Sequence, residues 1–296
     1  MAVKRILKGM RPRSRNRFQK GIPISIGIGT IVILSLILYS PSQEEPSYEG
    51  RTLNSWLNDP GLTRAGESMA IDHAIIQMGA EAVPHLERIM QKQDSWLRGP
   101  YLRIRKAFPS ALAERLPDWR ISARTKALKA ACLLGELGIL ATNAVDTLTK
   151  AATNQKDGGM QMNSVLSLGK IAPGTNRRDE ALQTLVNVAK APPIDQYLNG
   201  RHNAYMSISK FTLSPNELSI VIPTLKNGLD DRATRNAAAY CSGEIGAPAL
   251  PLLPRLLSAL NDQDRNVRIV ATNAVQKVAP KKAATLGNTD TLGLKR

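Results

Sequence analysis

The stretch Asp230–Val278 decides the fold of this chain. It reads DDRATRNAAAYCSGEIGAPALPLLPRLLSALNDQDRNVRIVATNAVQKV. It contains one complete helix–turn–helix unit and the first helix of the next unit. The two first helices open in the same way, at Thr234-Arg235 and at Val267-Arg268, and each opening begins three residues after an aspartate. Aspartate near a helix start accepts hydrogen bonds from free backbone N–H groups. The stretch therefore contains a repeat.

Helix signals inside this stretch agree with that interpretation. Gly246 ends a first helix, because glycine tolerates the left-handed conformation that closes helices. Pro248 and Pro251 fit the first turn of the helix that follows. In the last helix, apolar residues recur at i, i+3, i+4, i+7, i+8 and i+11, the buried stripe of an amphipathic helix. These residues are Val267, Val270, Ala271, Ala274, Val275 and Val278.

A matching turn occurs much earlier in the chain. Gly79-x-x-x-Val83-Pro84 agrees with Gly246-x-x-x-Leu250-Pro251 position for position. Alternating apolar runs bounded by Asn-Gly turns, which would indicate strands, are absent from the sequence. Internal agreement between such distant segments is the signature of stacked repeats. We therefore predict an all-α fold, an α-solenoid of about five to six helix pairs, over residues 50–280.

The aspartate-led openings and the Gly-x-x-x-Val/Leu-Pro turns resemble those of the HEAT family. Within that family they are similar to the short repeats of phycobilisome lyases. The resemblance implies paired antiparallel helices that stack into a curved solenoid. It implies no single function, because such arrays serve as scaffolds, adaptors and, rarely, enzymes.

A second resemblance lies in YEGRTLNSWL, residues 48–57. A Tyr-x-Gly-Lys/Arg-x-Leu-x-x-Trp-Leu opening just after an N-terminal anchor resembles membrane-anchored HEAT-repeat proteins of Verrucomicrobia and Planctomycetes. The likeness covers residues 48–280 and implies no known activity. From the residues themselves, Leu53, Trp56 and Leu57 predict a short amphipathic helix that caps the open end of the solenoid. Contact with a ligand is the less favoured alternative.

The net charge of +16 is unevenly distributed. Residues 1–39 contain eight basic residues and no acidic residue, so the remainder holds 32 basic and 24 acidic residues, an excess of +8. Half of the excess therefore belongs to a basic leader, residues 1–21, which we assign to the cytoplasm. A role of the leader in membrane topology explains its charge. Binding of the leader to DNA is the less favoured alternative.

An uncharged apolar segment follows the leader. Residues 22–39, IPISIGIGTIVILSLILY, would form a helix about 27 Å long, close to the roughly 30 Å hydrocarbon core of a bilayer. We predict a transmembrane anchor here; a cleaved signal peptide and a buried core helix are the alternatives. Basic residues precede the segment, and Glu44, Glu45 and Glu49 follow it. The positive-inside rule then places the N-terminus in the cytoplasm.

This topology makes the chain a single-pass membrane protein with residues 40–296 outside the cytoplasm. In a bacterium, that is the periplasmic side of the inner membrane. SPSQEEPSYE, residues 40–49, has the composition of a linker. Residues 281–296 are predicted to form a flexible tail. The oligomeric state is left open by the sequence.

The repeat period is interrupted at residues 91–121, QKQDSWLRGPYLRIRKAFPSALAERLPDWRI, which we call the insertion. Four of the 12 aromatic residues of the chain lie in it. Insertions protrude on one face of a solenoid, and Trp, Tyr and Arg dominate interface energetics. Packing of the aromatics inside an irregular repeat is the alternative. The predicted partner-binding residues are Trp96, Arg98, Tyr101, Arg103, Arg105, Trp119 and Arg120.

Residue types that carry chemistry form no catalytic pattern in this sequence. Cys132 and Cys241 are interpreted as buried small side chains, too far apart in the stack for a disulfide. The three histidines lack metal-ligand spacing, and Gly-x-Ser-x-Gly, His-Glu-x-x-His and phosphate-loop motifs are absent. We therefore predict no metal and no cofactor. Four charged residues at helix starts are interpreted as caps and inter-repeat ladders: Asp231, Arg235, Asp264 and Arg268.

The main functional hypothesis is a non-catalytic, membrane-anchored scaffold that binds a protein or peptide. One alternative is a lyase-like enzyme or accessory factor that uses the insertion, with Asp94, Glu114 and Asp118 as candidate acids. The other is a cytoplasmic nucleic-acid binder. An extracytoplasmic domain would not meet the genome, which disfavours nucleic acid as a partner.

Overall fold

The computed structural model describes residues 45–63, 65–92, 98–107, 121–154, 156–192 and 200–287. All of these belong to one structural unit, which comprises residues 45–296. The predicted leader, the predicted anchor and residues 40–44 of the predicted linker lie outside the described ranges.

Six helix pairs follow one another along the described ranges, which confirms an all-α, solenoid-like repeat fold. A two-stranded antiparallel hairpin, β1 (Ser47–Tyr48) and β2 (Arg51–Thr52), precedes α1 (Leu53–Leu57). The first pair is α2 (Ala65–Met78) with α3 (Val83–Gln91), after which α4 (Arg98–Ala107) lies in the insertion. The other pairs are α5 (Ala123–Leu137) with α6 (Val145–Thr153), α7 (Gly158–Ile171) with α8 (Arg178–Lys190), α9 (Gly200–Ile208) with α10 (Pro215–Asp230), α11 (Arg235–Ile245) with α12 (Leu253–Ala259), and α13 (Arg265–Val278) with α14 (Pro280–Gly287).

The helices of successive pairs form two rows. From α5 to α13, each first helix contacts the next first helix, and from α6 to α12 each second helix contacts the next second helix. Each second helix also packs against the first helix of the following pair. Such contacts between neighbours alone are typical of a helical-repeat stack.

Three turns inside the helix pairs share one geometry. Each opens with a glycine at positive φ, and the alanine three residues later is fully buried. A residue with a side chain would be strained by about 1–2 kcal/mol in the left-handed region, so these positions favour glycine. The glycine/alanine pairs are Gly79/Ala82, Gly138/Ala141 and Gly246/Ala249, with glycine φ values of 63°, 55° and 73°.

Small residues bring the first helices close together. A Cβ atom added to Gly135 on α5 would lie 2.5 Å from Oγ of Ser167 on α7. That serine hydroxyl donates a hydrogen bond to the carbonyl of Ala131 at 2.6 Å, so its polar group is satisfied inside the contact. We call this row of close contacts between first helices the small-residue seam.

The same contact recurs further along the seam. A Cβ atom added to Gly169 would lie 2.5 Å from Cβ of Ser207, whose hydroxyl donates to the carbonyl of Val165 at 2.9 Å. At Gly243, an added Cβ would lie 3.0 Å from Cα of Ala274. The first helices therefore approach one another so closely that these positions exclude side chains.

Ion pairs also connect successive units. The Arg124 guanidinium on α5 lies 3.0 Å from the Asp157 carboxylate at the start of α7, and this hydrogen bond lowers the pKa of Asp157. Exposed pairs of this kind stabilise a fold by about 0–1 kcal/mol each, so the buried seam contributes more to stability. Equivalent pairs are Arg235–Asp262, Lys170–Glu136 and Lys277–Glu244.

The charged residues at helix starts agree with their prediction in part. Asp264 is the N-cap of α13 and accepts a hydrogen bond from the Asn266 N–H at 2.8 Å, and Arg235 takes part in the ladder described above. Asp231 accepts from the Ala233 N–H at 2.9 Å, but Ala233 precedes α11, whose N-cap is Thr234. Arg268 donates to the backbone carbonyl of Asp262 at 2.7 Å and forms no ladder with the described residues.

Residues 123–153 form the one stretch, within the described ranges, whose length and hydropathy would suit a membrane span. This stretch is the α5–α6 pair, and half of it is buried. Its chain direction changes at Gly138, where φ is 55° and ψ is −130°. Leu134 and Leu148 from its two helices are fully buried, so the apolar content belongs to the core of the stack.

The C-terminal segment differs from its prediction. The sequence predicts a flexible tail over residues 281–296, whereas α14 extends to Gly287. Pro280 suits the first turn of this helix, and Ala283 packs against the hydrophobic core. The prediction of a flexible tail relied on the basic residues at both ends of the segment. It overlooked the good helix formers that the segment also contains. Residues 288–296 lie outside the described ranges.

Candidate interaction surface

The predicted partner-binding residues fall partly on α4. Arg98, Tyr101, Arg103 and Arg105 belong to this helix, so four of the seven residues share one element. Tyr101 is half-buried and Arg103 is exposed, whereas only the backbone positions of Arg98 and Arg105 are described. Those outside the described ranges are Trp96, Trp119 and Arg120.

Lys106 adds a cation that the predicted set of binding residues omits. It is exposed on α4 and follows Arg105 directly. The helix therefore carries four basic residues among ten, and residues 95–113 contain no acidic residue. The absence of acidic residues around Arg103, Arg105 and Lys106 is the sequence signal that could have identified Lys106. The prediction omitted this lysine because it considered arginine and aromatic residues alone.

The helix stack is continuous across the insertion. α3 packs against α5 as α6 packs against α7, although the connection between the first two helices is far longer than the four residues that connect the second two. Residues 92–122 are therefore not needed to join the two units.

The Tyr-x-Gly-Arg motif has a structural explanation in the N-terminal hairpin. Glu49 and Gly50 adopt φ values of 50° and 72°, the two consecutive positive values that tight hairpin turns need. The Arg51 guanidinium then lies 3.8 Å from the centre of the Trp56 ring and 2.9 Å from the Asp59 carboxylate. This arginine is thus engaged within the cap.

The predicted cap helix buries its apolar face. Leu53, Trp56 and Leu57 on α1 are 1%, 9% and 0% exposed, and α1 contacts α2. The indole Nε1 of Trp56 donates to the carbonyl of Tyr48 at 3.4 Å. These contacts favour capping over ligand contact for the motif.

A groove lies between the second helices α8 and α10. Its volume is about 140 Å³, enough for one apolar side chain. Burial alone would raise the pKa of Glu217 at its edge, but hydrogen bonds from Ser214 and Arg178 outweigh burial and lower that pKa. The groove is lined by Asp179, Leu182, Gln183, Val186, Glu217, Ile220 and Val221.

The reactive side chains have ordinary structural explanations. Cys132 is half-buried and Cys241 is fully buried, both are free thiols, and burial raises the pKa of each, which disfavours the nucleophilic thiolate. Burial also lowers the pKa of His85 and His202. No group of three or more His, Cys, Asp or Glu residues in the described ranges could hold a metal. The candidate acids of the lyase-like alternative lie outside those ranges: Asp94, Glu114 and Asp118.

No protein-family model matches the chain. No curated protein matches it. Solved structures do match, among them the X-ray structure of YibA from Escherichia coli, with 21% sequence identity and a TM-score of 0.43. The alignment covers 63% of this chain, and the chain spans 64% of the length of that structure. The repeat architecture is established by the helix pairs described above and not by this likeness.

Proposed function

We propose that this protein is a non-catalytic scaffold that binds a protein or peptide partner. The single observation that supports this is the continuity of the stack from α3 to α5, which leaves the basic insertion available for another role. The residues assigned to partner binding are Trp96, Arg98, Tyr101, Arg103, Arg105, Lys106, Trp119 and Arg120. The repeats, in this proposal of the HEAT type, act as the rigid support.

The proposal includes a membrane anchor formed by residues 22–39, with the leader in the cytoplasm and the solenoid outside it. The uncharged segment and the basic residues before it support this topology. Alkaline phosphatase and a cytoplasmic fluorescent protein, each fused after Arg296 in a bacterial host, test it. Phosphatase activity with a dark fluorescent fusion is the expected result. Bright fluorescence without phosphatase activity would overturn the topology and favour the nucleic-acid alternative.

Partner binding is tested with a photoreactive amino acid at position 103 of the full chain. We expect irradiation of cells to yield a discrete adduct of higher mass, which mass spectrometry identifies as a protein. The matched control is the same amino acid at Lys226, an exposed position on α10. Equal adducts from both positions, or none from position 103, would contradict the proposed role of the insertion.

A further inference from the structure

Outside the leader, positive charge is densest in the insertion. The repeats, residues 50–90 and 122–280, contain 21 basic and 17 acidic residues, a net charge of +4 spread over 200 residues. The insertion contains seven basic and three acidic residues, which places the same net charge of +4 within 31 residues. The insertion is therefore the part of the solenoid that attracts anions most strongly.

On the repeats, arginines meet carboxylates of neighbouring units. Arg201 lies 2.5 Å from Asp231, and Arg255 lies 2.9 Å from Asp230. On α4, by contrast, no carboxylate of the described residues pairs with Arg103 or Lys106, and both side chains are exposed. Arg103 and Lys106 are therefore available for carboxylates from another molecule.

Tyr101 and Leu102 on α4 are half-buried, whereas Arg103 and Lys106 are exposed. A ten-residue helix is about 15 Å long, which an extended segment of about five residues would match. Arginine pairs with carboxylates through two parallel hydrogen bonds, which gives such a contact geometric specificity.

We infer that α4 is a docking helix for an acidic segment of the partner protein, a short run rich in Asp and Glu. This inference rests on the proposed scaffold function and names the chemistry of its partner. Arg103 and Lys106 supply the exposed cations.

Two observations favour an acidic protein over an anionic lipid surface. An interfacial helix inserts an apolar face into the bilayer, but Tyr101 and Leu102 are already half-buried in the protein. In addition, residues 40–90, which lead from the predicted anchor to the insertion, contain eight acidic and three basic residues. Their negative charge would repel an anionic membrane surface.

The experiment measures binding of a fluorescein-labelled oligoglutamate peptide to the full chain in phosphatidylcholine nanodiscs, by fluorescence anisotropy. The test variant is Arg103→Glu/Lys106→Glu. Its matched control is Lys150→Glu/Lys226→Glu, which reverses the same number of exposed cations on α6 and α10. Both variants keep the basic leader, so its own affinity for the peptide cancels in the comparison. A third variant, Arg103→Gln/Lys106→Gln, removes the cations without introducing new charge.

We expect the test variant to bind about tenfold more weakly than the unmodified chain. The control should stay within about twofold, and the difference should shrink at high salt because salt screens exposed charges. Unchanged melting temperatures would show that folding is intact. If the charge-reversal variant unfolds, the glutamine variant takes its place in the comparison.

Equal affinity of the test and control variants for oligoglutamate would overturn the acidic-partner inference. Phosphatidylglycerol vesicles that co-sediment with the unmodified chain and not with the test variant, without a matching effect on oligoglutamate, would favour lipid instead. A photo-adduct at position 103 combined with equal oligoglutamate affinity would leave the scaffold function standing and refute the acidic partner alone. Absence of the adduct would contradict the proposed role of the insertion in partner binding, on which this inference rests.

Discussion

Glycine at position 169 shows how single residues determine the spacing of the helices. A Cβ atom there would lie 2.5 Å from Cβ and 2.8 Å from Cα of Ser207, and a backbone atom cannot move aside as a flexible side chain can. Helix propensity alone favours alanine over glycine by about 1 kcal/mol. The seam therefore keeps a residue that the isolated helix would disfavour.

We predict that Gly169→Ala lowers the free energy of unfolding by about 1–3 kcal/mol, because overpacking outweighs the gain in helix propensity. Urea denaturation of the full chain measures this change. Gly99→Ala is the control, since nothing lies within 4 Å of a Cβ built at Gly99 on α4. A stabilised Gly169→Ala variant would show that the helices separate easily and that the seam is not tight.

Tyr205 is a buried residue whose stability contribution depends on pH. Its side chain is 1% exposed, its hydroxyl donates to the carbonyl of Thr224 at 3.0 Å, and burial raises its pKa from 10.0 to about 12. In the unfolded chain the phenol ionises near its ordinary pKa, whereas in the folded chain it stays protonated. Stability from this group is therefore complete below pH 10 and is lost as pH rises toward 12.

We predict that Tyr205→Phe costs about 1–2 kcal/mol near neutral pH, because the carbonyl of Thr224 loses its donor. The cost should disappear by about pH 11, where ionisation of the unfolded chain already penalises the unmodified protein. Urea unfolding of both proteins across this pH range measures the difference. A gap that is constant with pH would contradict an elevated pKa for Tyr205.

Among the elements, we expect α4 and the rest of the insertion to contribute less to the stability of the stack than the helix pairs do. The helices on either side of the insertion, α3 and α5, already contact each other directly. A connection of four residues joins α6 to α7 in the equivalent place. The insertion should therefore be dispensable for the stack and required for the partner.

We predict that replacement of residues 93–121 by two residues, which leaves a connection of four residues as between α6 and α7, leaves the stack folded. Circular dichroism should retain the helical signal of the repeats, and the melting temperature should change by about 4 °C or less, the effect of roughly 1 kcal/mol. Loss of the cooperative transition would instead support the alternative in which the aromatics of the insertion pack inside the repeats.

At the scale of the whole molecule, contacts between first helices stabilise the stack. On α13, a polar residue occupies the position where such a contact would continue. Gln276 on α13 occupies the place that Gly243 holds on α11, two residues after Ala274 and Cys241 respectively. A long side chain at that place would prevent an approach as close as the one at Gly243. Stability in such a linear array is a sum of contacts between neighbouring units.

We predict that amide hydrogen exchange follows this linear arrangement. Backbone amides of α7 and α11, which have neighbours on both sides, should exchange most slowly, and those of α14 at the end should exchange much faster. α4 should exchange faster than α7 and α11, because α3 and α5 contact each other directly on either side of the insertion. Mass spectrometry of peptides from the exchanged full chain measures all four helices together. Uniform protection would contradict the linear arrangement.

The sequence by itself determined the helix pairs, the caps and the glycine turns. These features depend on forces that act within a few residues: the helical period of apolar side chains, hydrogen bonds from Asp264 to the adjacent backbone, and the tolerance of Gly246 for positive φ. Four predicted binding residues share one helix, which the structure shows and the sequence analysis did not predict.

Only the tertiary structure decided how the helices approach one another. Gly169 and Ser207 lie on different helix pairs, and a sequence pattern gives no reason why one must lack a side chain where the other has a hydroxyl. The contact of α3 with α5 could not be predicted from the sequence either, because the insertion separates these two helices along the chain. Both features result from packing between distant residues, which takes its final form when the helices come together.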